Sequence, residues 1–295
     1  MKKFAKVIII LTIVATLLVS VGLLSACNKN SEKTIKVSAS TSPHAEILNG
    51  IVKQILADQG YDLVVKEVNW NIPNGSVANG DMDANYFQHL PYLLSDEEAP
   101  GLAFSCTVHY EPLGVYYGGH ATAGQKVTEG KSFEICEDES NAVRALQLLE
   151  YLGVFSKETE GTNYPITNEG KLNFTGNSWT STSNVVIKRI AEEYLVSGLD
   201  DFDFACLPCN TALTGHVDLS LQVAIESDPA LVSGRANGLA VRKADYLNNS
   251  VYKAKIDALT NALLSKEVAD FIKEKYNGFI LCNSETQIDM RGEIK

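Results

Sequence analysis

The segment 70–93 combines polar, turn-forming residues with a dense set of ring-bearing side chains: Trp70, Tyr86, Phe87, His89 and Tyr92. Solvated loops rarely hold so many rings close together, whereas a small-molecule cleft needs aromatic walls and a few polar groups. Composition alone leaves a second interpretation open, in which the rings form a small core beneath a loop. The first interpretation predicts a binding site for a small organic ligand along this segment.

A metal site or a reactive thiol is the next chemistry that the residue types allow. The five histidines are scattered and form no i,i+4 pair: His44, His89, His109, His120 and His216. Residues 206–209 read Cys-Leu-Pro-Cys, a single C-x-x-C motif without the second pair of a typical zinc site. Redox chemistry would require this motif to open a helix, which lowers a thiol pKa. Neither G-x-S-x-G nor H-E-x-x-H occurs, so we predict no enzyme, no metal and no cofactor.

The N-terminal region has the three parts of a bacterial export signal: lysines at positions 2, 3 and 6, an apolar run over 7–24, and Leu24-Ser25-Ala26-Cys27. A transmembrane anchor is the alternative, because the run approaches the ~18-residue lower limit for spanning. The cysteine at the end of the run and the polar residues after it favour a lipoprotein signal. We predict a signal peptide over 1–26, lipid attachment at Cys27 and a flexible tether over 27–33.

The charge of the chain argues against a nucleic-acid partner. Removal of residues 1–26 takes away three of the 25 basic residues and none of the 36 acidic ones. The mature net charge is then −14, the same sign as a phosphate backbone. The predicted lipoprotein signal places the protein at the extracytoplasmic face of the bacterial cell membrane, held there by the acylated Cys27.

Five cysteines remain after Cys27, namely Cys106, Cys136, Cys206, Cys209 and Cys282. An odd number in an exported protein means at least one free thiol. Their apolar, strand-like surroundings predict small buried hydrophobic side chains for most of them.

Strands and helices alternate along the chain, a pattern that predicts α/β layers with a largely parallel sheet. Strands are predicted at 35–40, 63–68, 82–87, 103–108, 114–117, 133–136, 202–207, 219–225 and 238–242. Helices are predicted at 43–60, 90–95, 141–151, 185–196 and 251–276, the last with a break near Ser265. The layout favours two lobes, the first from 34–111 and 237–295 and the second from 112–236. The chain would cross between them twice, near 111–114 and 233–237.

Several blocks resemble the methionine-binding lipoprotein family. Residues 83–93 read DANYFQHLPYL, and residues 42–48 read SPHAEIL. Residues 110–116 (YEPLGVY) and 141–149 (NAVRALQLL) match the same family, with weaker matches over 203–210 and 237–242. Six blocks in the family's order span nearly the whole mature chain. The resemblance implies a periplasmic-binding-protein-like (Venus-flytrap) fold that delivers a small amino acid to an ABC permease in the same membrane.

The resemblance also implies roles for individual residues. The substrate thioether would lie between rings at Trp70 and Phe87, with His89 nearby and Tyr110 lining the cleft. Arg144 matches the family's carboxylate clamp, in the first turn of the helix that follows Ser140. Ligand-contacting asparagines match Asn210 and Asn237.

Some positions near the cleft depart from the family pattern: residues 137–141 (EDESN), Pro208-Cys209, Arg235 where an aromatic is frequent, and Trp70 where tyrosine is usual. These departures leave the ligand side chain open. The alternatives are another α-amino acid, a metal ion, or a surface lipoprotein without a transport role.

Overall fold

The computed structural model describes residues 32–68, 73–227, 234–277 and 279–295. The predicted signal peptide, Cys27 and Trp70 lie outside these ranges. Within them, two six-stranded sheets with surrounding helices form two lobes, which confirms the predicted two-lobed α/β architecture. None of the helices in these ranges has the length and apolar character needed to cross a membrane.

The first sheet takes its strands from both ends of the described chain. In spatial order they are β2 (Asp62–Glu67), β1 (Thr34–Ala39), β3 (Ala84–His89), β11 (Asn237–Arg242), β4 (Leu102–His109) and β12 (Ile288–Asp289). β1 pairs in parallel with β2 and β3, whereas β11 runs antiparallel to β3 and β4. β1, β3 and β4 therefore point the same way, and their carboxyl ends share one edge of the sheet with the start of β11.

The second sheet is built from the middle of the chain. Its spatial order is β10 (Gln222–Ile225), β5 (Leu113–Tyr117), β9 (Phe204–Pro208), β6 (Ser132–Cys136), β8 (Val186–Ile190) and β7 (Ser178–Thr180). β6 is parallel to β8 and β9, so these three strands end at one edge. The chain passes between the sheets after β4 and again after β10, as the two predicted crossings require.

Helices cover both sheets. They are α1 (Lys53–Asp58), α2 (Pro73–Ala78), α3 (Leu90–Ser95), α4 (Glu139–Tyr151), α5 (Lys157–Glu160), α6 (Glu192–Gly198), α7 (Cys209–Thr214), α8 (Lys243–Asn248), α9 (Ser250–Leu263) and α10 (Lys266–Tyr276). Two π-helical turns, Thr41–Ala45 and Leu48–Val52, precede α1, and the first predicted helix is interrupted by non-helical backbone at Gly50. The predicted break at Ser265 is confirmed, because its side chain caps α10 by accepting from the Val268 N–H.

Helix α4 shows how the sequence positions the site. Ala142, Ala145, Leu146 and Leu149 recur at helical spacing and pack in the core of the second lobe with the strand residue Phe133. Asn141 and Arg144 lie three residues apart, so their side chains are neighbours on one face of the helix. Both are buried and both face the space between the lobes.

Three predictions of secondary structure were wrong. The first placed residues 219–221 in a strand, but they form a 3-10 turn before β10. The segment 185–196 was predicted as one helix, but it forms β8 and then the start of α6. Its β-branched run Val185-Val186-Ile187 favours a strand, and pairing with β6 decides the outcome. The sheets are also mixed rather than largely parallel, because β11 and β5 follow the interlobe crossings and enter their sheets antiparallel to the neighbouring strands.

Candidate ligand-binding site

The candidate site lies between the facing edges of the two sheets. Open α/β sheets bind ligands outside the carboxyl ends of their strands. A cavity of about 40 Å³, partly open to solvent, occupies this position. It brings together five of the seven predicted binding residues: Phe87, His89, Arg144, Asn210 and Asn237. Trp70 lies outside the described residues.

Helix α4 places Arg144 in the lining of the cavity. The helix begins at Glu139 and is capped by Asp138, whose carboxylate accepts from the Asn141 N–H. Arg144 is the sixth helical residue, so its predicted position in the first turn was wrong. It lies in the second turn, where the helix terminus has less influence, and charge pairing rather than the helix dipole orients its guanidinium.

The guanidinium of Arg144 already holds a protein carboxylate. Its Nε and Nη2 donate to Oε2 of Glu226 at 2.8 and 2.5 Å, and Nη2 also donates to the Glu111 carbonyl at 2.7 Å. The side chains of Arg144 and Glu226 are only 3 % and 2 % exposed. The Tyr110 hydroxyl also donates to Glu226. Burial opposes ionisation of Glu226, but Arg144, Tyr110 and Arg235 outweigh it and hold the pKa of that carboxyl below its usual value.

A second guanidinium contributes to the same charge cluster. Arg235 Nη1 lies 2.8 Å from Oε1 of Glu226, and its Nη2 donates to Gln147. Two arginines thus share one carboxylate, so the Glu226 cluster carries one unmatched positive charge. A buried positive charge of this kind favours an anionic ligand group.

His89 ends β3 and joins the two lobes. Its Nδ1 accepts from the Tyr92 N–H at 3.2 Å, so the ring proton lies on Nε2, which donates to Asn141 Oδ1 at 3.1 Å. Burial, reinforced by the charge of Arg144, lowers the pKa of His89 to about 4. The ring is therefore neutral at physiological pH and acts as a hydrogen-bond donor.

The end of β3 is held in place by a buried amide network. Asn85 donates to Asn74 at 2.9 Å, and Gln88 donates to both Asn74 and Asn85 at 2.6 and 2.9 Å. These bonds connect the strand to α2 and satisfy polar groups that burial would otherwise make costly. Phe87 lies between them in sequence and faces the cavity, with its ring edge-to-face against Tyr92 at 5.7 Å.

The other predicted site residues in the described ranges are Asn210, Asn237 and Tyr110, and only the two asparagines line the cavity. Asn210 lies in the first turn of α7 and Asn237 begins β11, and both line the cavity. Tyr110 is fully buried and supports Glu226 through its hydroxyl, without being part of the cavity lining. The sequence therefore located Tyr110 near the site, while the structure gives it a supporting contact.

Glu192 is a cavity residue that the sequence gave no reason to select. It opens α6 directly after β8, and its Oε1 accepts from the Thr211 hydroxyl at 2.6 Å. Burial, with the charges of Asp138 and Glu111, raises the pKa of Glu192 to about 7. Glu226 was likewise missed, because it follows a short strand and meets Arg144 from 82 residues away.

A second interlobe cavity continues from the first. The two share Glu192 and Asn210, and the second extends to hydroxyl groups at Ser40, Thr41 and Thr211. The second cavity has a volume of about 350 Å³ and is partly open to solvent. The cleft between the lobes is therefore longer than the chamber that contains Arg144.

Two histidines that are far apart in sequence meet at the base of the cleft. His109 Nε2 donates to Oε1 of Glu111 at 2.6 Å, and His109 Nδ1 bonds to the Tyr86 hydroxyl. His44 Nδ1 bonds to Ser40 at 2.7 Å, while its Nε2 lies 3.3 Å from Glu111 without a hydrogen-bonding angle. Among the described residues, this group alone offers three clustered metal-ligand atoms, within 4.8 Å of one another. Its internal bonds already satisfy Glu111, so we interpret it as a polar network that ties β1, β3 and β4 together.

The five cysteines in the described ranges are free thiols, and all except the partly exposed Cys282 are buried. This confirms the prediction for most of them. Cys209 does open a helix, but burial raises its pKa to about 12. A redox-active thiol requires a lowered pKa, which is the opposite of this shift.

Comparisons with known proteins agree with this geometry. Residues 35–282 match the family model described as NlpA lipoprotein. The methionine-binding lipoprotein MetQ of Bacillus subtilis is 30% identical over 283 residues, which cover 92% of this chain and 97% of that protein.

Two solved structures have the same fold. A nutrient binding protein from Burkholderia cenocepacia bound to methionine is 27% identical, with a TM-score of 0.69, covering 84% of this chain and 99% of that chain. An ABC transporter periplasmic substrate-binding protein from Coxiella burnetii is 25% identical, with a TM-score of 0.67, covering 84% and 100%. The six sequence blocks, the two-lobed fold and these matches agree, and the chain belongs to the NlpA lipoprotein family.

Proposed function

We propose that this protein is the lipid-anchored solute-binding component of an ABC importer and that it binds a small amino acid, methionine or a close analogue. The observation that carries the proposal is the net positive charge of the cluster of Arg144, Glu226 and Arg235, in which Arg144 lines a cavity with an aromatic wall. Support comes from relatives that are named methionine-binding lipoproteins and from the related structure bound to methionine.

In the proposed pose the ligand carboxylate lies at Arg144. The described contacts of this guanidinium use Nε and Nη2, which leaves the two N–H groups of Nη1 for the ligand. Asn210 and Asn237 supply amide groups that accept from an ammonium or donate to a carboxylate. Because His89 is neutral, an uncharged ligand side chain can pack against its ring without the cost of desolvating an imidazolium.

The ligand side chain would pack on Phe87, with Trp70 on the opposite side. A sulfur at a ring edge contributes ~0.3–1.5 kcal/mol per contact. Burial of the apolar side chain adds roughly 25 cal/mol per Å². These terms favour methionine over a polar side chain of similar length.

Closure of the lobes would trap the ligand. The two crossings are suited to a hinge, and the His89–Asn141 bond joins the lobes across the cleft. We propose the lobe boundaries 34–111 with 237–295, and 112–236. We also propose cleavage after residue 26, acylation of Cys27 and a tether over 27–33, which would raise the local concentration of the protein at its permease.

Isothermal titration of the full-length protein in detergent tests the proposal. Bound ligand is first removed by unfolding and refolding, and each proteinogenic amino acid is then titrated. We expect methionine to bind most tightly, with a dissociation constant well below a millimolar. Absence of binding by every α-amino acid at that concentration would show that the proposal is wrong.

A further inference from the structure

Glu111 lies at the first crossing between the lobes and is an acidic residue in the lining of the Arg144 cavity. Strand β4 ends at His109 and β5 begins at Leu113, so Glu111 belongs to the short connection between the two sheets. Its carbonyl accepts from Nη2 of Arg144 at 2.7 Å. The backbone of Glu111 is therefore in direct contact with the proposed carboxylate clamp.

The carboxylate of Glu111 bonds instead to a residue of the first sheet. His109 Nε2 donates to its Oε1 at 2.6 Å, and His109 Nδ1 bonds in turn to the Tyr86 hydroxyl. The side chains of His109 and Glu111 are both buried. His109 is not among the described residues that line the cavity, so it can affect a bound ligand only through its neighbours.

His44 does not provide an equivalent bond to this carboxylate. Its Nε2 lies 3.3 Å from the same Oε1 of Glu111, but it is a buried nitrogen without a hydrogen-bond partner in the described ranges. Burial, with the charge of His109, lowers the pKa of His44 well below its usual value. The neutral ring of His44 brings no charge to Glu111, so within the described residues His109 is the side chain that holds this carboxylate.

Arg144 would be the natural partner of a Glu111 carboxylate that lost its bond to His109. A buried carboxylate without a donor is costly, and the Arg144 guanidinium already lies against the Glu111 backbone. The described hydrogen bonds of that guanidinium use Nε and Nη2 and leave Nη1, which the proposed pose assigns to the ligand. A released Glu111 side chain would therefore compete with the ligand carboxylate for the same N–H groups.

Building on the proposed function, we propose that His109 is a positioning residue for ligand binding: it holds the Glu111 carboxylate at the first sheet and so keeps Arg144 available for the ligand carboxylate. His109 ends a strand of the first sheet, and Arg144 lies on α4, which packs on the second sheet. The contact through Glu111 thus links the clamp to the crossing between the two sheets.

Two variants with the same amide group but different lengths test the proposal. In His109→Gln the amide nitrogen takes the approximate place of Nε2 and can still donate to Glu111, whereas the shorter amide of His109→Asn takes the place of Nδ1 and reaches only toward Tyr86. Titration calorimetry on the refolded full-length protein measures methionine affinity. We expect a loss of roughly 5- to 50-fold in His109→Asn, in the range for groups coupled in one hydrogen-bond network. His109→Gln should stay within about twofold of the wild type.

The same comparison in a Glu111→Gln background tests whether His109 acts through the Glu111 charge. A neutral amide does not compete for a guanidinium, so the loss caused by His109→Asn should shrink to less than about twofold. A merely structural role of His109 would weaken binding equally in both backgrounds. Thr260→Val is the matched control, because it removes a buried 2.8 Å bond to Ser105 on the same strand as His109, outside the cavity lining. It should lower stability in urea and leave methionine affinity unchanged.

The outcomes separate this proposal from the proposed function. Equal methionine affinity in His109→Asn and His109→Gln, or an undiminished loss in the Glu111→Gln background, would overturn the role of His109 and leave the proposed function standing. If His109→Asn does not fold, Tyr86→Phe replaces it: the variant removes the hydroxyl that orients His109 and should weaken binding only while Glu111 is charged. Absence of methionine binding by the wild type would refute the proposed function itself.

Discussion

Replacement of Arg144 by methionine separates its role in stability from its role in binding. The change leaves the Glu226 carboxylate, 2 % exposed, with Arg235 as its remaining cationic partner. Breaking a buried ion pair by removing one partner costs about 3–5 kcal/mol. Because Arg235 and Tyr110 stay in contact with Glu226, we expect a loss of free energy of unfolding near 3 kcal/mol, the lower end of that range.

The double variant Arg144→Met with Glu226→Gln removes both charges of the pair. Tyr110 can still donate to the new amide oxygen, and Arg235, 13% exposed, can turn toward solvent. Replacing both partners is often close to neutral, so we expect most of the lost stability to return. Methionine affinity should not return, because the ligand carboxylate has lost a charge-assisted bond of about 1.5–3 kcal/mol, or roughly 10- to 150-fold in dissociation constant.

Urea denaturation and calorimetry on the same samples provide the assay. Arg242→Met is the matched control: it removes another partly buried arginine, bonded to the Val77 and Met82 carbonyls outside the cavity lining. It should lower stability and leave methionine affinity unchanged. Wild-type affinity in the double variant would refute the assignment of Arg144 as the carboxylate clamp. An undiminished stability of Arg144→Met would refute the energetic argument.

Three further outcomes follow from the titration and burial of single groups. Burial, with the charge of Asp201, raises the pKa of Glu134 to about 8, so the folded state keeps a proton that the unfolded state loses. The free energy of unfolding of the protein should fall as pH rises from about 5 to 8, by up to about 1.4 kcal/mol per pH unit. Urea titrations of Glu134→Gln should lack this part of the pH dependence. Nitrogen-15 NMR should show His89 neutral down to about pH 5, since its pKa is lowered to about 4; a midpoint above 6 would contradict the neutral state assigned to this buried ring. The five thiols should react slowly with Ellman's reagent in the native protein and fully in denaturant, because burial raises the pKa values of Cys106, Cys209 and Cys282 to about 12; fast labelling of more than one thiol would contradict their burial.

Much of the local architecture could be predicted from the chain alone. Periodicity placed helix 90–95 and most strands within two residues, because a strand or an amphipathic helix is set by neighbours two to four positions away. The helix predicted at 185–196 failed because an apolar β-branched run suits a buried strand as well as a helix. Pairing with β6, about fifty residues earlier, settled the choice.

The candidate site, like the fold, could be predicted from the sequence only in part. The sequence blocks determined that Phe87, His89, Arg144, Asn210 and Asn237 would be grouped, and the structure places these five around one cavity. Only the tertiary structure decided that Glu226 sits on Arg144, that His44 meets His109, and that Glu192 faces the cleft. These contacts depend on strand order and on two crossings between lobes. No local pattern encodes which distant carboxylate a buried arginine will meet, because that pairing is fixed by the register of strands that assemble from separate parts of the chain.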